Sequence, residues 1–282
     1  MLMKKKTLLL FITLSVGVWL AIAGGPGWGQ EQPLTGLQSE TAVSLGDGSG
    51  RKSVLIVTKS FAASRDNTLF EYTPISGDLS EGAGSWIFTG RTRQLADEGP
   101  IRRGLILFDL ANSGIPLNAL VSKVTLQLHL SASAFDSGPQ STSLHRLLKD
   151  WGEGFSFSQG TGGIPTTGDA TWRQPFFGLP ITPANSWTTP GGDFSPATSA
   201  STLVGNIGTY TWSSLRMVLD VQEWLLAPAT NFGWIILGNE ILSGSAKRFD
   251  SRQNPTAANR PLLIVEYQPE LKNYYLPIIM KQ

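Results

Sequence analysis

Between Val121 and Leu130 the chain alternates so strictly that an extended strand is the only regular element that fits. Val124, Leu126, Leu128 and Leu130 fall on one side of the backbone, and Lys123, Thr125, Gln127 and His129 on the other. A period of two places one row of side chains in a core and the other in water, which is the habit of an antiparallel sheet. The remaining apolar runs are short and bounded by glycine, proline or polar turns. They predict strands at 53–57, 85–89, 103–110, 143–148, 232–237, 247–251 and 262–267. The run from Arg103 to Leu110 is nearly continuous in apolar residues and predicts a strand covered on both faces. One helix is expected where Val218, Val221, Trp224 and Leu225 recur at helical spacing, with Pro228 as its stop. Its start is either a capping box of Asp220 and Glu223 or an earlier cap at Ser213 or Ser214. The pattern predicts an all-β, jelly-roll-like antiparallel β-sandwich with one short helix and a long ordered loop insertion.

That insertion, from Asp150 to Phe194, holds Trp151, Trp172, Trp187, Phe155, Phe157, Phe176 and Phe177 with neither helical nor strand periodicity. Long irregular segments are either functional or disordered, and disordered ones are poor in aromatics. The segment therefore reads as ordered loops seated on the sandwich. Trp224 and Trp234 sit on apolar patterns and belong to the core, and Trp151, following a strand, is expected as a lid on the sandwich end. Trp172, Phe176, Phe177, Trp187 and Trp212 stand among polar and glycine residues. They form the candidate ligand platform, because a flat aromatic face suits a pyranose ring while nearby polar groups bond its hydroxyls. The competing reading is a satellite core that pins the loop down.

At the start, Lys4, Lys5 and Lys6 precede an apolar run from Leu8 to Leu20 and the Ala21-Ile22-Ala23 motif, the parts of a cleaved secretory signal at 1–23. A polar linker is expected over 24–52, the sandwich domain over 53–268 and an apolar tail over 269–282. The tail is too short to span a bilayer, so no stable membrane span is expected after signal cleavage. It reads as a last strand or flap, or as a cell-surface attachment. The expected place of the protein, secreted and extracellular, makes the absence of cysteine informative: no disulfide can staple this domain. A core or a bound hard cation must hold it. Acids beside polar turns, Asp66, Asp109, Glu153, Asp169 and Asp193, with Asp250 also so placed, are the candidate ligands of a structural Ca2+. The competing roles are turn formation and pairing with Arg102, Arg103, Arg248 or Arg252. The 22 basic residues, three of them in the signal, face 21 acidic ones, so no cationic excess points to nucleic acid.

Nucleophilic catalysis finds no natural constellation. The two histidines, His129 and His145, fall on predicted strands, no G-x-S-x-G elbow occurs, and Asp150 and Glu153 are too local to flank a glycosidic bond. The expectation is a protein that is not an enzyme.

Several motifs in order resemble the DNRLRE domain, also known as a carbohydrate-binding module of the alginate-binding kind. They are Ser64-Arg65-Asp66-Asn67-Thr68-Leu69-Phe70-Glu71, the Arg103–Leu110 run, Ile115-Pro116, Trp151-Gly152-Glu153-Gly154 and the closing Arg260–Tyr267 segment. Gly168–Trp172, Pro190–Phe194 and Arg248–Arg252 resemble a secreted subgroup of it. The resemblance covers roughly Val54 to Tyr267. It implies a secreted, non-catalytic sandwich of the kind often attached to polysaccharide-active enzymes, with a polysaccharide as partner. The alternative is a structural or adhesion protein of the cell envelope or extracellular matrix.

Overall fold

In the computed structural model the described residues are 40–45, 54–93, 99–133 and 138–269. The stretch read as a signal at 1–23 and the tail beyond Pro269 lie outside them. Twelve strands, every pairing antiparallel, form one curled sheet whose two leaves face each other. The first leaf runs β1 (Glu40–Leu45), β2 (Val54–Ala62), β12 (Leu262–Gln268), β6 (Leu120–Ser133), β11 (Lys247–Asp250) and β4 (Trp86–Arg91). The second runs β5 (Ile101–Leu107), β10 (Trp234–Leu237), β7 (Gln140–Leu147) and β8 (Phe194–Val204). β4 joins the leaves through Gly90 and Arg91, which pair with Arg102 and Ile101 of β5. β3 (Arg65–Phe70) edges β5, and β9 (Gly208–Trp212) edges β6.

The alternation that opened the argument is the spine of the core. Val124, Leu126, Leu128 and Leu130 of β6 are fully buried between the leaves, while their polar neighbours face outward. Ile106, Leu144, Trp234 and Ile236 meet them from the second leaf, and Phe249, Leu263, Val265 and Tyr267 extend the row. The one α-helix among the described residues, α1 (Leu215–Leu226), closes one side of this core with Met217, Val221, Trp224 and Leu225. Ser214 is its cap, its hydroxyl accepting from the Met217 amide at 3.0 Å. Asp220 is therefore not a capping residue. It is buried and accepts from Ser199 Oγ at 2.6 Å and from Trp234 Nε1 at 3.0 Å. The chain adopts an all-β, sandwich-like fold with one short helix and a long loop.

One departure lies in the stretch expected as linker. Glu40–Leu45 pairs along its length with β2, from Glu40 opposite Lys59 to Leu45 opposite Val54. The open backbone edge of β2 recruits it, and main-chain pairing needs little apolar signal from the recruited segment. Among the described residues no helix is long and apolar enough to cross a membrane.

Candidate functional site

The second leaf is apolar on both faces, and the long loop covers the outer one. Leu105 and Leu107 of β5 point away from Ile106, and with Leu69, Leu147 and Ile235 they form an outward apolar floor. Trp151, Ala170, Trp172 and Trp187 of the loop lie on that floor as a second core. Leu148 N donates to Asp193 O at 2.9 Å, closing the neck of the loop where it leaves β7 and enters β8. Inside it, Ala170 N donates to Gly152 O and Gly152 N to Pro175 O, both at 2.9 Å, so three irregular passes are tied side by side.

Ion pairs clasp this loop to the strands. Glu153 receives Arg252 through both Nε and Nη2 at 2.5 Å, and its Oε1 also accepts the Asp66 amide at 3.0 Å. Asn67 Nδ2 donates to Glu153 O at 2.8 Å. Arg65 donates to Asp150 at 2.9 Å and to Trp151 O, with its guanidinium 5.0 Å from the Trp151 ring. Arg173 bonds Asp78 and stacks on Tyr72 at 4.2 Å. Asp150 and Glu153 thus hold different arginines and do not face each other across a groove.

The aromatic residues sort differently from the expected platform. Trp172 is 8% exposed and Trp187 4%, and both lie face-down in the second core. Trp187 Nε1 donates to Thr171 O at 2.8 Å. Trp212 is fully buried in the main core, edge-on to Phe249, with Nε1 on Thr142 O at 2.9 Å. Phe176 and Phe177 are half-buried within the loop. The reason is the apolar outer floor of β5, β7 and β10, which gains more by taking indoles than water gains by keeping them. Trp172 and Trp187 are braces. Within the loop the exposed aromatics are instead Phe155 at 81% and Phe157 at 63%, and Ile164 of the same loop is 87% exposed.

The candidate metal ligands do not converge. Asp109 accepts the Ala111 amide, Asp169 accepts Thr166 N at 2.5 Å and Thr166 Oγ1 at 3.1 Å, and Asp193 accepts Thr188 and Thr189 amides at 3.0 and 3.2 Å. Each is a turn former. Glu153 is bound to Arg252. Asp66 Oδ2 accepts Arg252 N at 2.7 Å while its buried Oδ1 has no protein partner. Burial, with Glu153 adding to it, pushes the Asp66 carboxyl up to about 8. Among the described residues no group of three or more acidic or histidine side chains could hold a metal ion. The five acids expected to share a calcium do not form a site.

The histidines are also occupied. His145 Nδ1 donates to Ser195 O at 3.0 Å, and its Nε2 lies 3.1 Å from Ser143 Oγ. His129 Nδ1 donates to Asp250 at 2.7 Å on the outer face of the first leaf.

What the loop builds is a groove at its own neck. An open depression of about 640 Å3 is lined by Arg103, Lys149, Thr188, Thr189, Asp193 and Phe194, among others. Arg103 rises from β5 and lies against two rings, 4.7 Å from that of Trp172 and 5.5 Å from that of Phe194. Its Nε and Nη2 bind both oxygens of Glu240 at 2.7 and 2.9 Å, and Nη1 donates to Gly191 O at 2.8 Å. Gly191 sits at φ +96° directly against this guanidinium and the Trp172 ring, where a Cβ would not fit. Lys149 Nζ donates to Ser186 O at 2.6 Å and Ala184 O at 3.3 Å, leaving one of its three protons to point elsewhere. The Asp193 carboxylate fixes the Thr188–Thr189 turn above the groove. The result is a groove lined by an aromatic residue, a cation and two threonines on a rigid frame. Sequence reading did not find it, because Lys149 and Phe194 come from opposite ends of the loop and Arg103 from another strand.

Fold and groove together define a β-sandwich with a loop-covered outer leaf and one open polar groove at the neck of that loop. Compared with protein-family models and with curated proteins, the chain matches none.

Proposed function

We propose that this chain is a secreted, non-catalytic carbohydrate-binding module that takes an extracellular or cell-wall polysaccharide in the groove at the loop neck. The observation that carries this reading is the gathering around one open groove of Phe194, Lys149, Thr188 and Thr189, with Arg103 fixed by Glu240 against the Phe194 ring. Its volume of about 640 Å3 lies within the range of small-ligand clefts. The motif order resembling DNRLRE domains supports the same class and a place outside the cell. Trp172 serves the groove indirectly, by fixing the face of Arg103. Polysaccharide gel retardation across neutral and acidic polymers tests the reading. Retardation by at least one polymer that weakens about tenfold in Lys149→Met, with the thermal melt unchanged, supports it, since one charged hydrogen bond lost is worth that factor. Retardation by no polymer would overturn it.

A second reading, a structural or adhesion protein of the envelope or matrix, is favoured by the exposed Phe155, Phe157 and Ile164. Apolar side chains gathered on a surface mark contact sites. Release of the protein from the envelope fraction by Phe155→Ser with Phe157→Ser, with polysaccharide retardation unaffected, would favour that reading over the first.

A further inference from the structure

A second open groove, of about 670 Å3, lies between α1 and β8. Leu148 lines both this groove and the one at the loop neck. The two also meet along β8, where Phe194 lines the neck and Ser195 the second groove. Leu148 is 58% exposed, so the rim that the grooves share is open to solvent. The second groove is walled by α1 from Arg216 to Leu226 and by β8 from Ser195 to Ser199, about 15 Å of helix and about 13 Å of strand. Its polar groups are held in place. Arg146 donates to both oxygens of Glu223, and Asp220 accepts from Ser199 Oγ and Trp234 Nε1. Leu148, Ala197, Leu219 and Leu226 supply the apolar part of the lining.

We propose that the two grooves form one binding track for a neutral polysaccharide, with Leu148 as the rim between its two subsites. This rests on the neck groove being a carbohydrate site. The neutral class follows from the charges along the track. Its cations are Arg103 and Lys149 at the neck and Arg146 and Arg216 in the second groove. Against them stand Asp193, Asp220 and Glu223, with Glu240 held on Arg103. The two signs balance, so a polyanion meets as many carboxylates as cations and gains no net attraction. A sugar hydroxyl both donates and accepts, and this lining answers both needs. Arg216 and the remaining Lys149 proton donate, and the Glu223 carboxylate, 55% exposed, accepts. A single sugar occupies one groove, whereas a polymer reaches both, and two linked subsites bind more tightly than either alone.

Calorimetric titration of the full chain with oligosaccharide ladders cut from neutral glucan, mannan and xylan, and from a polyuronate, tests this. For a neutral ladder that binds, affinity should go on rising by about tenfold beyond the length that fills the neck groove. Arg216→Ala with Leu219→Ala, both at exposed positions, should remove that gain for the long members. The short members should bind as they do to the parent, and the thermal melt should stay in place. Lys149→Met should weaken long and short members alike. Unchanged affinity at every length in the Arg216/Leu219 double variant, while Lys149→Met still weakens binding, would overturn the track and leave the neck groove standing. Binding confined to the polyuronate and lost at high salt would overturn the neutral class. Binding of no ladder would overturn the neck groove as a carbohydrate site, and the track with it.

Discussion

Replacing Trp187 with alanine separates a brace from a binding platform. Its indole is 4% exposed, shares the second core with Trp151, Trp172, Leu105 and Ile235, and donates Nε1 to Thr171 O. Truncation of a buried tryptophan costs about 3–5 kcal/mol through lost burial and the cavity left behind. The Thr171 carbonyl would lose its donor, at about 1 kcal/mol more. Part of this can be relieved, because the loop can open at one end while Glu153 and Arg252 hold the other. A net loss of about 3 kcal/mol is the expected outcome, read from urea denaturation followed by far-UV circular dichroism. A surface tryptophan would cost within about 0.5 kcal/mol. A change that small, together with loss of polysaccharide binding, would refute the assignment of Trp187 to the second core.

Three further outcomes follow from the same geometry. Asp66 holds its proton up to about 8 in the folded chain against 3.8 as the ordinary value, so the native state binds the extra proton between those limits. Its contribution to stability is complete below 3.8, falls as pH rises towards 8 and is level above, and Asp66→Asn should flatten that slope and melt higher than the parent at pH 9. Arg252→Ala removes the two-pronged bond to Glu153 and should cost about 2 kcal/mol, with faster proteolysis in the Phe155–Ile164 segment than in the parent. Lys149→Met should weaken polysaccharide retardation without moving the melting temperature, since Ala184 O and Ser186 O can turn to water.

The sandwich was legible wherever one residue's neighbours along the chain decided its face. Val124 to Leu130 announced a half-buried strand, and the continuous run at Arg103–Leu110 announced a strand covered twice, as Ile106 and Leu105 turned out to be. Trp224 and Trp234 were core by pattern and are core in space, their rings 4.6 Å apart. Trp172 and Trp187 misled because burial in an irregular loop depends on where the loop lands. Polar neighbours such as Thr171 and Gln174 satisfy one another and the backbone inside the loop, so local polarity carried no sign of exposure. Phe155 and Phe157, in the same loop, are exposed, which no periodicity records. Glu40–Leu45 joins by main-chain pairing, which is nearly silent in composition. The groove was unreadable for a further reason: Arg103, Lys149 and Phe194 meet only after the loop neck closes through Leu148 and Asp193.

The most direct test of the account is an amide chemical-shift map of the protein titrated with an oligosaccharide cut from whichever polymer retards it. The account predicts the largest shifts at Arg103, Lys149, Thr188, Thr189 and Phe194, at the neck of the loop. Shifts centred on Phe155, Phe157 and Ile164, with the neck unchanged, would contradict it.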